Sequence, residues 1–303
     1  MGAAHGIAAP AAAPARLALA SLLASGLVWG LSWWPLKHFA AAGLTGNLVG
    51  ITAYALVGLA ALPVLWRERA AWRGEGRLLM LIGLFFGAAN IAFTNALMMG
   101  EVVRAMLLFY LLPAWGALGG ALFLRERLAP RRVAAVLLSL AGVFVILGGG
   151  ASSFGNFSAA DAAALAAGLC YTAAGIANRR TTRIPVASRT MVSFIGCALV
   201  AGAGQLLLPA PLPAPGAATW LLLVLFAFVW LLGGTLLTTY GVTHLQTSRA
   251  SVLQVVELLV AVASAMLVGG EMLAWKEWTG GAMVVAATLL EAGGDDEEGA
   301  SHA

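Results

Sequence analysis

Glu257 stands out in this sequence as a charged residue near the middle of a long apolar stretch. Gln254 precedes it by one helical turn, so a helix would place both side chains on one face. A carboxylate in hydrocarbon is costly and is expected to face a wet interior or a polar partner. Three roles stay open from the sequence: the pair binds an ammonium group, Glu257 takes up a proton, or Glu257 makes a hydrogen bond that only organises packing.

Other polar and aromatic residues occur at similar depths in apolar stretches, and they are candidates for lining a cavity. Phe86 and Asn90 share one helical face, and Tyr110, Tyr171 and Trp230 each lie away from the ends of their stretches. A buried hydroxyl or indole N–H needs a partner, and a cavity for a flat, partly apolar molecule would provide one. Packing between helices is the alternative for each of them.

The composition indicates an integral membrane protein. The chain has 303 residues, of which 61% are hydrophobic and 10% charged, and its mean hydropathy is +0.92. Soluble domains are about a quarter charged, so a soluble enzyme or a nucleic-acid-binding protein is excluded. The sequence contains neither a phosphate-binding loop motif nor a set of Cys and His residues at metal-ligand spacing. We therefore expect no cofactor, metal or catalytic residues.

Charged residues and turn signals divide the chain into ten apolar segments, each close to the roughly 20 residues that a membrane helix needs. Pro209, Pro211, Pro213 and Pro215 interrupt an otherwise overlong stretch. The sequence predicts an all-α protein with spans at about 17–36, 45–66, 78–99, 103–124, 131–149, 159–179, 187–208, 217–241, 249–269 and 274–292.

The basic residues alternate between the ends of these spans in a way that predicts the orientation. If the N-terminus is cytoplasmic, only Lys37, Arg104 and Lys276 of the 17 Lys and Arg residues fall outside. Basic residues in short loops favour the cytoplasm. We expect a multi-pass protein of the inner (plasma) membrane with both termini cytoplasmic, in contact with membrane lipid.

The two halves of the chain resemble each other. Arg104-Ala105 recurs as Arg249-Ala250, 145 residues later, and Glu126 with Leu128-Ala129 recurs as Glu271 with Leu273-Ala274. A repeat of five helices must be inverted in the membrane, which is typical of carriers with a central substrate site. The predicted organisation is a disordered tail at 1–16, a first repeat at 17–150, a second repeat at 151–292 and an acidic tail at 293–303.

Prolines and glycines within the spans indicate where helices bend or approach closely. Pro113 lies inside the fourth span, where it removes a backbone hydrogen bond, and it is a candidate hinge. Gly-x-x-x-Gly pairs, which let helices pack closely, occur in the first four spans; one is Gly83/Gly87. Trp33 and Trp34 lie near the outer end of the first span, where we expect them in the interfacial aromatic belt.

In order along the chain, these motifs resemble the drug/metabolite transporter superfamily in its ten-helix EamA-type form. The matching residues are Trp29-Gly30 with Pro35 and Lys37, Asn90 to Ala96, Arg104-Ala105, Leu111-Leu112-Pro113, Glu126, Tyr240, Arg249-Ala250, Glu257 and Glu271. Leu258 departs from the pattern, since such proteins often have proline there, and we expect a less kinked ninth helix. Within the superfamily the layout is most similar to the YddG-type amino-acid exporters.

This resemblance implies a secondary transporter that exports amino acids, including aromatic ones, by alternating access of two inverted halves. We expect the substrate to contact Phe86, Asn90, Tyr110, Tyr171, Trp230, Gln254 and Glu257. Another amphipathic metabolite or a drug cation is the alternative substrate, and a membrane enzyme acting on a lipid-linked substrate is the alternative class. The coupling ion, the direction of transport and the oligomeric state, a monomer included, stay open.

Overall fold

The computed structural model describes residues 12–124, 129–147, 157–245 and 247–292. The predicted tail at 293–303 lies outside these ranges, as do residues 1–11 of the N-terminal tail. The first helix already begins at Ala12, earlier than the predicted start of the first span at residue 17. Every regular element within the described ranges is helical, which confirms the all-α class.

The helices are numbered here by the span to which they correspond. In the first repeat they are α1 (Ala12–Gly30 and Trp33–Ala41), α2 (Gly46–Val49, a π-helical turn at Gly50–Tyr54, and Ala55–Glu68), α3 (Gly76–Met99), α4 (Val102–Phe109, Leu112–Gly119 and a π-helical turn at Gly120–Leu124) and α5 (Pro130–Ile146). In the second they are α6 (Ala159–Arg179), α7 (Val186–Leu207), α8 (Ala217–Leu225, a π-helical segment at Phe226–Gly233, and Gly234–His244), α9 (Thr247–Leu267) and α10 (Trp275–Ala292).

These helices coincide with the predicted spans to within a few residues. The proline-rich stretch from Pro209 to Gly216 is non-helical and separates α7 from α8 as predicted. Within the described residues, seven segments are long and apolar enough to cross a membrane, namely α1 to α4 and α6 to α8. The chain is therefore a multi-pass membrane protein, and the count of ten crossings stays a prediction.

Helix packing relates the two repeats by a pseudo-two-fold axis. Helix α1 packs on α8 and α9 of the second repeat, and its counterpart α6 packs on α3 and α4 of the first. The remaining contacts between the repeats include the counterpart pairs α2 with α7, α4 with α9 and α5 with α10. Replacing each helix by its counterpart in the other repeat thus converts the contacts of α1 into those of α6.

The pair α5 and α10 shows that counterpart helices run antiparallel. At the beginning of α5, Arg131 Nε donates to the carbonyl oxygen of Leu290 near the end of α10, at 2.8 Å. Near the end of α5, Ile146 lies against Gly280 in the first half of α10, where an added Cβ would approach its side chain to 2.6 Å. The two repeats are therefore inverted relative to each other.

Two connections that contain arginines lie together at one end of the bundle, which we call the basic face. They are residues 69–75 between α2 and α3 and residues 180–185 between α6 and α7. There the α2–α3 connection is fastened to the α6–α7 connection by Glu75, which accepts from the Thr182 hydroxyl at 2.6 Å. That hydrogen bond lowers the pKa of Glu75, with help from the backbone N–H groups of Thr182 and Arg183. The Ser188 hydroxyl of α7 also donates to Glu68 at 2.5 Å.

At the opposite face, two carboxylates from the second repeat hold the beginning of α4. Glu271, in the α9–α10 loop, accepts from the N–H groups of Val102 at 2.7 Å and Val103 at 3.0 Å. Asp161, in the first turn of α6, pairs with Arg104 through Nε at 2.7 Å and a terminal nitrogen at 2.9 Å. Free N–H groups at a helix N-terminus attract anions, which explains the position of Glu271.

A glycine contact brings α3 and α7 together backbone to backbone. A Cβ added to Gly196 would lie 2.9 Å from Gly83 Cα, and one added to Gly87 would lie 2.7 Å from the backbone nitrogen of Cys197. The Gly83/Gly87 pair therefore serves close helix packing, as its spacing indicates.

Trp33 does not belong to the interfacial belt, so that expectation is wrong. Its side chain is only 5% exposed, and its indole N–H donates to the Ser264 hydroxyl of α9 at 2.8 Å. A hydrogen-bond partner on a neighbouring helix draws the indole inward. Trp34 is 58% exposed, and its place in the interfacial belt stays a prediction.

Candidate functional site

Five aromatic rings from three helices form a contiguous group at mid-bundle depth. Phe86 of α3 lies 5.7 Å from Tyr171 of α6, and Tyr171 lies 5.8 Å from Phe109 of α4, measured between ring centroids. Phe109 also contacts Tyr110 at 5.6 Å and Phe93 of α3 at 4.5 Å. These spacings are favourable for aromatic pairs.

Glu257 joins this aromatic group from α9. The Tyr110 hydroxyl donates to the carbonyl oxygen of Gln254 at 3.1 Å and also lies beside the Glu257 carboxylate. The Tyr171 hydroxyl interacts electrostatically with the same carboxylate. Both Gln254 and Glu257 are half-buried residues, and the Glu257 carboxylate lies in the middle of the bundle beside the two tyrosine hydroxyls.

Asn90 sits one helical turn from Phe86 and connects the group to α2. Its amide nitrogen donates to the Phe86 carbonyl oxygen at 2.9 Å, and its amide oxygen accepts from the Tyr54 hydroxyl at 3.3 Å. Asn95, which the sequence places on another face, instead donates to Asn47 at 3.2 Å. A half-buried Asn90 with one amide hydrogen engaged keeps the second for another partner.

Helix α4 is broken directly beside this group. The helix is interrupted at Tyr110 and Leu111, and Pro113 occupies the first turn of the piece Leu112–Gly119. Pro113 has no N–H to offer the Phe109 carbonyl one turn earlier, and that carbonyl lies against Gly168 of α6. Helix α9, with Leu258 in place of proline, is continuous from Thr247 to Leu267, as expected.

Trp230 lies in a second aromatic group, apart from the five rings described above. It stacks on Phe226 at 6.4 Å, and Phe226 meets Phe39 of α1 edge-on at 5.5 Å. The indole N–H of Trp230 is buried and finds no hydrogen-bond partner among the described residues. Trp230 also falls within the π-helical segment of α8, a distortion that often marks functional sites.

The structure thus brings together six of the seven predicted lining residues and places Trp230 elsewhere. Phe93, Phe109 and Tyr54 complete the arrangement and were not predicted, because an isolated aromatic residue in an apolar helix resembles a lipid-facing one. Tyr171 is 37% exposed although it contacts α3 and α4, so it lies at the edge of the group. Across the described ranges, no three His, Cys, Asp or Glu side chains are placed to hold a metal ion.

Both halves of the chain match the same family. The EamA-like transporter family matches residues 16–148 and again residues 158–291, which together span most of the sequence. The chain belongs to the EamA-like transporter family. The duplicated match confirms the internal repeat as two copies of one domain, and it assigns this chain to a class of membrane transporters.

Two further similarities accompany this EamA-like transporter. Over 144 residues it is 33% identical to the aromatic amino acid exporter YddG of Ancylobacter novellus, an alignment that covers 46% of this chain and 47% of that protein. The chain thus matches about half the length of this curated relative. A crystal structure of another protein shares the fold, with a TM-score of 0.57 and 22% identity over 90% of this chain and 96% of the other.

Proposed function

We propose that this EamA-like transporter exports amino acids, aromatic ones among them, across the plasma membrane. The Glu257 carboxylate, held in the bundle interior beside the hydroxyls of Tyr110 and Tyr171, carries the proposal. An ammonium group is the natural partner for a carboxylate in a low-dielectric interior. The similarity to an aromatic amino acid exporter supports the same substrate class.

The surrounding rings suit the remainder of such a substrate. Phe86, Phe109 and Tyr171 present ring faces and edges against which a flat side chain packs. The substrate carboxylate would take the second amide hydrogen of Asn90 and the N-terminal turn of Leu112–Gly119, because helix N-termini attract anions. Trp230 lines the path beyond this site, where its indole N–H meets the passing molecule.

Transport proceeds by alternating access, in which the two inverted repeats move relative to each other around Glu257. The basic face is cytoplasmic, because Lys and Arg in short loops favour that side, and both termini are then cytoplasmic. Glu257 either binds the substrate ammonium throughout or exchanges it for a proton. A drug cation is the second candidate substrate, because the same carboxylate and rings would attract it.

Replacing Glu257 by glutamine should abolish transport while leaving the fold intact. Glutamine keeps the shape of the side chain and removes the charge that the substrate ammonium needs, so we expect counterflow of labelled phenylalanine or tryptophan into proteoliposomes to fall at least tenfold. Glu101→Gln is the matched control, because Glu101 is exposed at the opposite face.

The same assay separates the candidate functions. Counterflow of amino acids by the unaltered protein supports a carrier, whereas chemical conversion of an added lipid-linked substrate without movement would support a membrane enzyme. Counterflow of organic cations alone would favour the drug cation. If Glu257→Gln changes neither the rate nor its pH dependence, proton exchange and ammonium binding at Glu257 are both rejected.

Replacing Pro113 by alanine should slow transport several-fold at unchanged yield of folded protein. Alanine would supply the N–H that the Phe109 carbonyl lacks and close the break in α4, which removes the proposed hinge. The measurements are the initial counterflow rate and the yield of monodisperse protein. Pro63→Ala, within α2, is the control, and equal rates for both variants would reject the hinge.

A further inference from the structure

An apolar groove of about 830 Å³ opens between α2 and α3 near the basic face. Helix α7 forms its floor, because α7 packs on α2 at Gly58 and on α3 at Gly83 and so holds the two helices apart on either side. The lining side chains are Leu59, Leu62 and Trp66 of α2, Leu79 of α3, and Val192 and Ile195 of α7.

This groove faces the surrounding bilayer. Leu59 is 64% exposed and Trp66 is 68% exposed, and the two are about 10 Å apart along α2 at 1.5 Å per residue. The volume falls within the range of roughly 300–1,000 Å³ that is typical of ligand sites. Water does not fill an apolar hollow of this kind, so the hydrocarbon of a lipid must occupy it in the membrane.

The rim of the groove carries a positive charge just beyond the end of α2. Arg69 lies beyond the end of α2, with its guanidinium 4.1 Å above the Trp66 ring and one N–H donated to the Trp66 carbonyl. The nearest acidic side chain in sequence, Glu68, is engaged by the Ser188 hydroxyl. Trp72, also on the rim, is fixed by donation from its indole to the same Ser188 at 2.9 Å.

We propose that this groove is a binding site for one anionic phospholipid of the leaflet at the basic face. An acyl chain lies along Leu59, Leu62 and Ile195, and the lipid phosphate binds the Arg69 guanidinium. A guanidinium offers five N–H donors in a fixed fork that suits phosphate. Basic pockets between helices on the cytoplasmic side are a recurrent form of lipid recognition.

Native mass spectrometry of the purified protein with palmitoyl-oleoyl phosphatidylglycerol, and with the phosphatidylcholine of the same chains, tests this site. We expect one phosphatidylglycerol to bind at least tenfold more tightly than phosphatidylcholine. Arg69→Gln should weaken phosphatidylglycerol about fivefold, the usual contribution of one basic residue near a lipid surface. Arg77→Gln is the matched control, because Arg77 is exposed at the same face but does not line the groove.

A second variant separates the acyl chain from the headgroup. Leu62→Trp fills the groove from an exposed position on α2 and should reduce binding of both lipids at least tenfold without lowering the melting temperature. Equal losses for Arg69→Gln and Arg77→Gln would overturn the site in favour of general charge attraction. If glycerol phosphate binds as tightly as phosphatidylglycerol, the lipid site would be overturned in favour of a site for free phosphate.

Discussion

Gly196→Leu is expected to prevent this protein from reaching its folded state. Any side chain at this position collides with the backbone of Gly83, whose Cα would lie 2.9 Å from the new Cβ. Overpacking in a well-packed core costs about 1–3 kcal/mol even where side chains can shift. The cost is larger here, because two helix backbones shift much less readily than side chains. Separating α3 from α7 would also displace Phe86 and Asn90, which α3 positions at the candidate site.

Fluorescence-detected size-exclusion chromatography with a thermal ramp measures this effect. The expected result is an aggregated profile or a melting temperature too low to record. Gly202→Leu is the matched control in the same helix, because nothing lies within 4 Å of the Cβ it would introduce. Identical profiles for the two variants would show that the close contact between α3 and α7 does not hold the bundle together.

Asp161→Ala is expected to produce the second largest loss of stability. Asp161 is only 3% exposed, and it accepts from Arg104 at two positions and from the Ser158 N–H at 2.9 Å. Breaking a buried ion pair by removing one partner typically costs about 3–5 kcal/mol, because the remaining charge stays buried. The free energy of unfolding should therefore fall by roughly 3 kcal/mol.

A double-mutant cycle distinguishes this ion pair from the helix cap that Asp161 also forms. Arg104→Met alone should be destabilising, and Arg104→Met combined with Asp161→Ala should cost no more than the worse of the two single changes. Chemical unfolding in detergent provides the free energies. Strictly additive losses would mean that Asp161 contributes through the first turn of α6 alone.

The limits of the helices could be predicted from sequence because local signals determine them. Helix α6 begins where Ser158 and Asp161 form a capping box and ends at Arg179, and both ends agree with the prediction. The proline cluster from Pro209 separates α7 from α8 for an equally local reason. The break in α4 precedes Pro113 because the carbonyl that proline leaves unpaired belongs to the previous turn, at Phe109.

The helix partners could not be predicted in the same way. Membrane helices are apolar around most of their circumference, so a hydrophobic face does not identify the neighbour. The sequence does not single out Phe109 and Phe93 for this reason, because only their approach to 4.5 Å across two helices reveals them. A tryptophan near the end of a span predicts a place in the interfacial belt. The buried position of Trp33 depends instead on Ser264, which is 231 positions away in sequence.

The difference between α4 and α9 breaks the symmetry between the two repeats. Counterpart helices face each other, yet one is interrupted beside Tyr110 and the other runs unbroken past Leu258. Glu271 and Asp161 anchor only the first piece of α4, Val102–Phe109. We therefore expect bending to concentrate at the break in α4 of the first copy, with the unbroken α9 of the second copy as the straight support against which it bends.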